Sequence, residues 1–374
     1  MSAKLRSVPL AFALALTGAL GLVSAPAHAQ KYGKAGEPVK LTVGYQPYYT
    51  QSWSGVVING LELWKKHLPK GSEVEFQVGL QGAVIVGQML ADKQQIGYMG
   101  DMPSLVATNR PEVADVRLVA VLGLSQQQCN IFLVRNDAPQ FSSGKDAVKW
   151  MDGKVTSSPH GSCTDRFARS VFQKESVKPA QYLNQNIEVI MTNFKSGKLD
   201  AAVIWEPTAS KMIAEGLARR EASGIDFNEG DAGFLAFRND LMEARPDILR
   251  AWLEAELDAQ LFLADPKNAP KVAELAEKQT TGLERKVLWQ SLYGATSRAP
   301  AGSVKNEMPF IFTDSAKKLA SDAHAFLFEI KRVSGKEVRA GAIDDSVARD
   351  VLQKRGLKAP VGVIKSLPDS EFKM

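Results

Sequence analysis

Along this chain, short apolar or alternating stretches are separated by longer stretches of helical periodicity. Val39 to Tyr45 alternates with the period of two that marks a strand and ends at Gln46-Pro47. Ser54 to His67 places Val57, Leu61 and Trp64 on one helical face, and Pro69-Lys70-Gly71 stops it. Val74 to Val78 reads as the next strand. Two later stretches share one grammar. Ala83 to Lys93 is an apolar-faced helix followed by the buried-looking strand Ile96 to Gly100, with Asp101 at its carboxyl end. Asn186 to Lys195 is the second such helix, followed by Leu199 to Trp205 and then Glu206. Pro103 and Pro207 follow these two acids closely.

Helices alternating with short buried strands predict an α/β fold on mostly parallel sheets, where ligands sit outside the strands' carboxyl ends. Two similar units about a hundred residues apart predict two facing lobes. Arg117 to Leu124 and Asn130 to Arg135 are strands on either side of Ser125 to Cys129, a candidate crossover. Phe234 to Arg238 is the candidate return strand. Beyond it the pattern is helical: Pro246 to Leu263 carries Ile248, Leu249, Trp252, Leu253, Leu257 and Leu261 on one face, followed by Lys271–Lys278, Leu283–Tyr293 and Ser315–Ile330. The expected division is residues 39–126 in lobe 1, 127–233 in lobe 2, and 234–374 back in lobe 1.

The N-terminus changes the picture from architecture to address. Lys4 and Arg6 precede the apolar run Val8 to Val23, and Ala27-His28-Ala29 fits the small-x-small rule of signal peptidase. Residues 1–29 are therefore expected to be a cleaved secretory signal. With no cysteine after the run to accept a lipid, the product is expected to diffuse freely in a periplasm. Without Lys4 and Arg6, 44 basic residues face 41 acidic ones. That near balance, with no Lys/Arg block, argues against nucleic-acid binding. Cys129 and Cys163 form either one disulfide or two buried thiols; two cysteines 34 apart do not make a tetrahedral metal site. The four histidines, His28, His67, His160 and His324, show no metal spacing or triad order. Neither a cofactor nor an enzyme activity is expected.

At these residues the sequence resembles the periplasmic aliphatic-sulfonate, taurine and nitrate binding proteins of ABC importers. The resemblance rests on Leu41-Thr-Val-Gly-Tyr-Gln46, Gly87 to Gly100, Lys149 to Val155, Gly161-Ser162 opening a helix, and Lys195 to Pro207. The last carries the family's G-x-x-D-A-hydrophobic-W-[DE]-P pattern. The resemblance implies a type II-like two-lobed fold hinged at crossover strands and acting as a monomer. It would capture a small anionic or zwitterionic solute, of sulfonate or taurine type, and deliver it to a membrane permease and its ATPase. Nitrate, a carboxylate or a thiamine-pyrimidine precursor are the other solutes; a sensory ligand-binding partner or an exported hydrolase are the other classes.

Ten residues are candidates for holding the solute. Ser162-x-x-Asp165 reads as a capping-box start to a helix from Arg166 to Gln173, whose free N–H groups could bind an anion. Ser162, Cys163 and Thr164 are taken as contacts there, and Asp165 as cap. Asp101 and Glu206 are either helix caps or holders of a solute's ammonium. Gln46, Tyr48 and Trp53 with neighbouring Tyr49, and Trp205 beside Glu206, suit a cleft rim that covers an apolar stem. Gln128 reaches in from the crossover.

Overall fold

The computed structural model describes residues 31–373; the expected signal segment lies outside them. Its strands are β1 (Lys40–Tyr45), β2 (Glu73–Val78), β3 (Ile96–Gly100), β4 (Val116–Ser125), β5 (Ile131–Arg135), β6 (Val155–Ser158), β7 (Gln181–Asn184), β8 (Ala201–Ile204), β9 (Ala218–Ser223), β10 (Asp231–Arg238), β11 (Val304–Met308) and β12 (Gly362–Lys365). A seven-stranded sheet has the order β12-β11-β4-β10-β3-β1-β2, and a five-stranded sheet the order β7-β6-β8-β5-β9. The chain leaves the first sheet after Ser125, enters the second at Ile131, and is back in the first at Asp231. Among the described residues no helix is long and apolar enough to cross a membrane.

The α/β expectation holds, but the sheets are mixed rather than mostly parallel. In the larger sheet β1 is parallel to β2 and β3, whereas β10 runs antiparallel to both β3 and β4. In the smaller, β6 is parallel to β7 and β8 while β5 is antiparallel to β8 and β9. The reason is the double crossing. β5 and β10 each enter their sheet from the side where the chain changes sheets, so each runs against its neighbours. Strands β1 to β4 and β6 to β9 consequently all aim their carboxyl ends at the boundary between the sheets, where loops are free to form a site.

Burial follows the sequence pattern. Leu41, Val43 and Tyr45 face inward from β1, and β3 is buried along its whole length because helices cover both faces. One core lies where the 19-residue helix Pro246–Ala264 packs on the larger sheet with Trp252, Leu253 and Leu257. A second covers its other face, and two further clusters flank the smaller sheet. The helices expected beyond it span Ala269–Gln279, Arg285–Leu292 and Asp314–Glu329. The helix expected from Ser54 to His67 is broken: it spans Trp53–Leu61, and Glu62 at φ 51° turns the chain left-handed before a short turn at Trp64–His67.

Candidate functional site

Five strand ends build the boundary: the segments after β1, β2, β3, β6 and β8. They enclose a cavity of about 220 Å³. Gln46, Tyr49, Gly82 and Pro103 line it from the first sheet's side, and Pro159 to Cys163 with Trp205 from the second's. Leu327 and Arg332, at the end of the Asp314–Glu329 helix, complete the wall.

The Pro159–Cys163 edge is the most polar part. Gly161 takes φ +78°, a conformation glycine adopts without strain, and the chain then enters the Cys163–Lys174 helix with Ser162 in the N-cap position. The expected capping box does not form. The Ser162 hydroxyl donates to the Pro159 carbonyl at 2.6 Å and shares a hydrogen bond with the Thr164 hydroxyl at 2.7 Å. Asp165 instead accepts from the Gly161 N–H at 2.9 Å, from Arg169 Nε at 2.7 Å and from the Tyr182 hydroxyl at 2.8 Å. With both side chains engaged elsewhere, the first-turn N–H groups have no side-chain cap. Such groups, at the positive end of a helix dipole, favour an anion. Residue 163 begins the helix, three residues before the expected start.

Cys163 is joined to Cys129 by a disulfide, with 6.0 Å between their Cα atoms. The bond fastens the helix start to the crossover between β4 and β5, and it leaves Cys163 without a free thiol. His160 stacks on Tyr182 with 4.7 Å between ring centroids. Burial holds its imidazole below the ordinary range, so it is neutral at neutral pH. Its Nε2 is buried without a partner among the described residues.

Of the ten residues expected to hold a solute, Gln46, Ser162, Cys163 and Trp205 lie on this cavity wall. Trp205 also bridges the two sides, its Nε1 donating to the Tyr48 carbonyl at 3.1 Å. The other six lie elsewhere. Tyr48 lines a separate cavity, and its hydroxyl accepts from the Thr281 N–H at 2.8 Å. Trp53 is in the core, with Nε1 donating to the Pro47 carbonyl at 2.9 Å. Gln128 is buried between the Thr50 hydroxyl and the Ser291 carbonyl. Thr164 is buried behind Ser162.

Asp101 and Glu206 are both fully buried, and each carboxylate is committed to an arginine. Asp101 accepts from the Met102 N–H at 2.7 Å and from Arg166 Nη2 at 3.3 Å. Glu206 accepts from Ser210, through its N–H at 2.9 Å and its hydroxyl at 3.0 Å, and from Arg220. Neither carboxylate reaches the cavity. Arg166 spans the boundary from the smaller sheet's side. On the other side Asp231 joins the cluster, accepting from the Tyr49 hydroxyl at 3.2 Å. Burial, then the Asp101 charge, push the Asp231 carboxyl well above the usual range.

Arg332 was not legible in advance. It lies 170 residues beyond Ser162 in no motif, and only the fold brings it to the cavity. Among the lining residues it is the one permanent charge, and no carboxylate accompanies it. Among the described residues no cluster of His, Cys, Asp or Glu could hold a metal.

Two α/β lobes whose strand ends meet over a small cavity make this a protein of the two-lobed periplasmic-binding-protein fold. The chain belongs to the NMT1-like family, whose model matches residues 34–277. It is 24% identical over 252 residues to the taurine-binding periplasmic protein of Escherichia coli (strain K12), covering 64% of this chain and 74% of that one. The alkanesulfonate-binding protein SsuA of Xanthomonas axonopodis pv. citri, solved bound to MOPS, superposes with a TM-score of 0.65 at 18% identity, covering 82% of this chain and 99% of that one. The periplasmic nitrate-binding protein NrtA of Synechocystis PCC 6803 superposes with a TM-score of 0.70 at 13% identity, covering 85% and 89%. The fold also serves chemistry: the desulfurization enzyme DszB matches with a TM-score of 0.61 at 16% identity, covering 84% and 99%.

Proposed function

We propose that this protein is a periplasmic solute-binding protein of an ABC importer, and that its solute is a small organic anion of the sulfonate type. The observation that carries this reading is the uncapped start of the Cys163–Lys174 helix, set in the wall of a cavity to which both lobes contribute. Backbone N–H groups there, and the Ser162 hydroxyl once turned from the Pro159 carbonyl, would hold the anionic head, with Arg332 adding charge. Tyr49 and Trp205 would cover an apolar stem, and Gln46 would supply a polar contact. The bound solute would then pass to a permease driven by an ATPase.

The cavity wall favours an anion over a zwitterion. Holding an ammonium through Asp101 or Glu206 would need carboxylates that Arg166 and Arg220 already occupy. An alkanesulfonate should therefore bind more tightly than taurine. Binding rather than catalysis is supported by the chemistry of the wall. Cys163 is oxidised, and the Ser162 hydroxyl donates to a carbonyl instead of facing a base.

A thermal-shift panel of alkanesulfonates, taurine, nitrate, carboxylates and pyrimidines tests the reading. A solute at 100-fold its Kd adds about 2.7 kcal/mol of stability, and Ser162→Ala with Arg332→Gln should remove most of the shift. No shift from any sulfonate or nitrate, or tighter binding of taurine than of an alkanesulfonate, would overturn this assignment of solute.

A further inference from the structure

His160 lines the cavity between Pro159 and Gly161, at the end where the Cys163–Lys174 helix begins. Its ring lies against Tyr182 on β7, and its backbone N–H donates to the Asn184 side-chain oxygen at 2.9 Å. Both contacts hold the residue in place, and neither uses a ring nitrogen. Tyr182 supplies no partner, because its hydroxyl is engaged with Ser158 and donates to Asp165. Nε2 is left buried without a partner among the described residues.

Arg332 closes the same end of the cavity from the other lobe. Lys331, at φ 59°, follows the Asp314–Glu329 helix in a left-handed conformation, and the Arg332 N–H then donates to the Leu327 carbonyl at 2.8 Å. That turn sets the guanidinium beside Gly161: a Cβ on Gly161 would stand 3.7 Å from Arg332 Nε and 3.9 Å from Nη2. The groups facing the imidazole are therefore Asp165 and Arg169 from the Cys163–Lys174 helix, the Tyr182 phenol from β7, and Arg332 from the other lobe. Burial is the largest influence on the ring and disfavours its charged form; Asp165 favours that form, and the two arginines oppose it.

A buried polar atom without a partner costs free energy, and an anion entering beside Arg332 and the helix start supplies the missing one. Stacking fixes the plane of the ring but permits a half-turn about Cβ–Cγ, which exchanges the edges that Nε2 and Cε1 present. We propose that His160 is a further solute-binding residue: as an imidazolium it donates a charge-assisted hydrogen bond to the anionic head, alongside Arg332 and the first-turn N–H groups. This role rests on the solute being an anion bound in this cavity, as proposed above. The free ring is neutral at neutral pH, so binding draws one proton from solvent, and the arriving negative charge offsets the two arginines. Affinity then rises as the pH falls, by up to about tenfold per pH unit between the free and bound titrations of the ring. A sulfonate stays ionised throughout that range, so the protein alone sets the slope.

The His160 Cε1–H signal, followed by NMR against pH and recognised by its contacts with the Tyr182 ring, gives the direct measurement. A saturating alkanesulfonate should move its titration to higher pH. Calorimetry in buffers of different ionisation enthalpy should show proton uptake on binding, and the Kd should fall severalfold from about pH 7.5 to about pH 5.5. His160→Gln, a neutral donor, should still bind at neutral pH and should lose both the slope and the uptake. An unmoved His160 titration under a bound alkanesulfonate overturns the proposal, as does an unchanged pH slope in His160→Gln. Should that variant fail to fold, the titration in the unaltered protein still decides. No thermal shift from any sulfonate at either pH overturns the solute reading and this role with it, whereas a bound sulfonate with an unmoved ring overturns this role alone.

Discussion

Replacing Arg166 by Met should be the most damaging single change to the lobe boundary. The guanidinium is 8% exposed and donates at 3.3 Å to Asp101 and at 2.6 Å to the Gly230 carbonyl. At an effective dielectric constant of about 20, a pair at that separation has a Coulomb energy of about 5 kcal/mol. Met replaces much of the aliphatic volume but leaves Asp101 and Asp231 buried without a cation, and stranding a buried charge costs ~3–5 kcal/mol. That loss should appear in urea titrations at neutral pH. It should also shrink in mildly acidic buffer, and the sign follows from the two carboxyls. Both have folded pKa values raised above the ordinary 3.8, chiefly by burial. Their contribution to stability is full below the unfolded value and is lost as pH rises through the folded one. Removing Arg166 raises the folded values further and deepens the loss at neutral pH, while at low pH both groups are protonated in either state. Asp231→Asn is the opposite perturbation. It removes one of two acids that share one guanidinium while still accepting from Tyr49, so it should be neutral or stabilise by ~1–4 kcal/mol. An Arg166→Met loss below about 1 kcal/mol, a loss that does not shrink with acid, or an Asp231→Asn variant as damaged as Arg166→Met would refute this reasoning.

Burial raises the Glu256 carboxyl from 4.5 to about 7, so stability should fall by about 3 kcal/mol as pH rises across that window. Glu256→Gln, still accepting from Tyr98, should flatten that slope in Tm measured against pH. The disulfide closes a loop of 34 residues, for which loop entropy gives about 4 kcal/mol. Reduction, or Cys129→Ser with Cys163→Ser, should lower the urea midpoint accordingly, and an unchanged midpoint with both thiols titratable would contradict it. A Cβ on Gly224 would collide with the carbonyl oxygens of Glu229 and Gln126. Gly224→Ala should thus cost ~1–3 kcal/mol by overpacking, visible as a lowered Tm.

What the sequence made legible was local and apolar. β1, β3 and β10 are short stretches whose alternation or continuous apolarity leaves little freedom, and the Pro246–Ala264 helix carries an unbroken inward stripe. β9 and β11 hid because their residues are largely polar or charged (Arg219 to Glu221, Lys305 to Glu307), and they are strands only because neighbouring strands pair with them. In the site, Gln46 could be read because it follows a strand end directly, and Ser162 because it stands where a loop enters a helix. Arg332 could not, since no local pattern ties it to Ser162.

The two strand-end acids show how a correct position can carry a different role. Asp101 and Glu206 do sit where solute-binding side chains are expected in an α/β fold. What decides their chemistry is a partner 65 residues away for one and 14 for the other, and pairing of that kind leaves no periodic trace. Buried, each acid needs a cation more than it can serve a transient ligand, because an empty site would strand it. Arg166 meets that need from across the lobe boundary whether or not solute is present. Asp101 therefore ties the two walls together while Glu206 braces the smaller sheet's side, and the cavity keeps the charge of Arg332 and of the helix start. If the cavity is the solute site proposed above, leaving the acids out of it would select for negative charge.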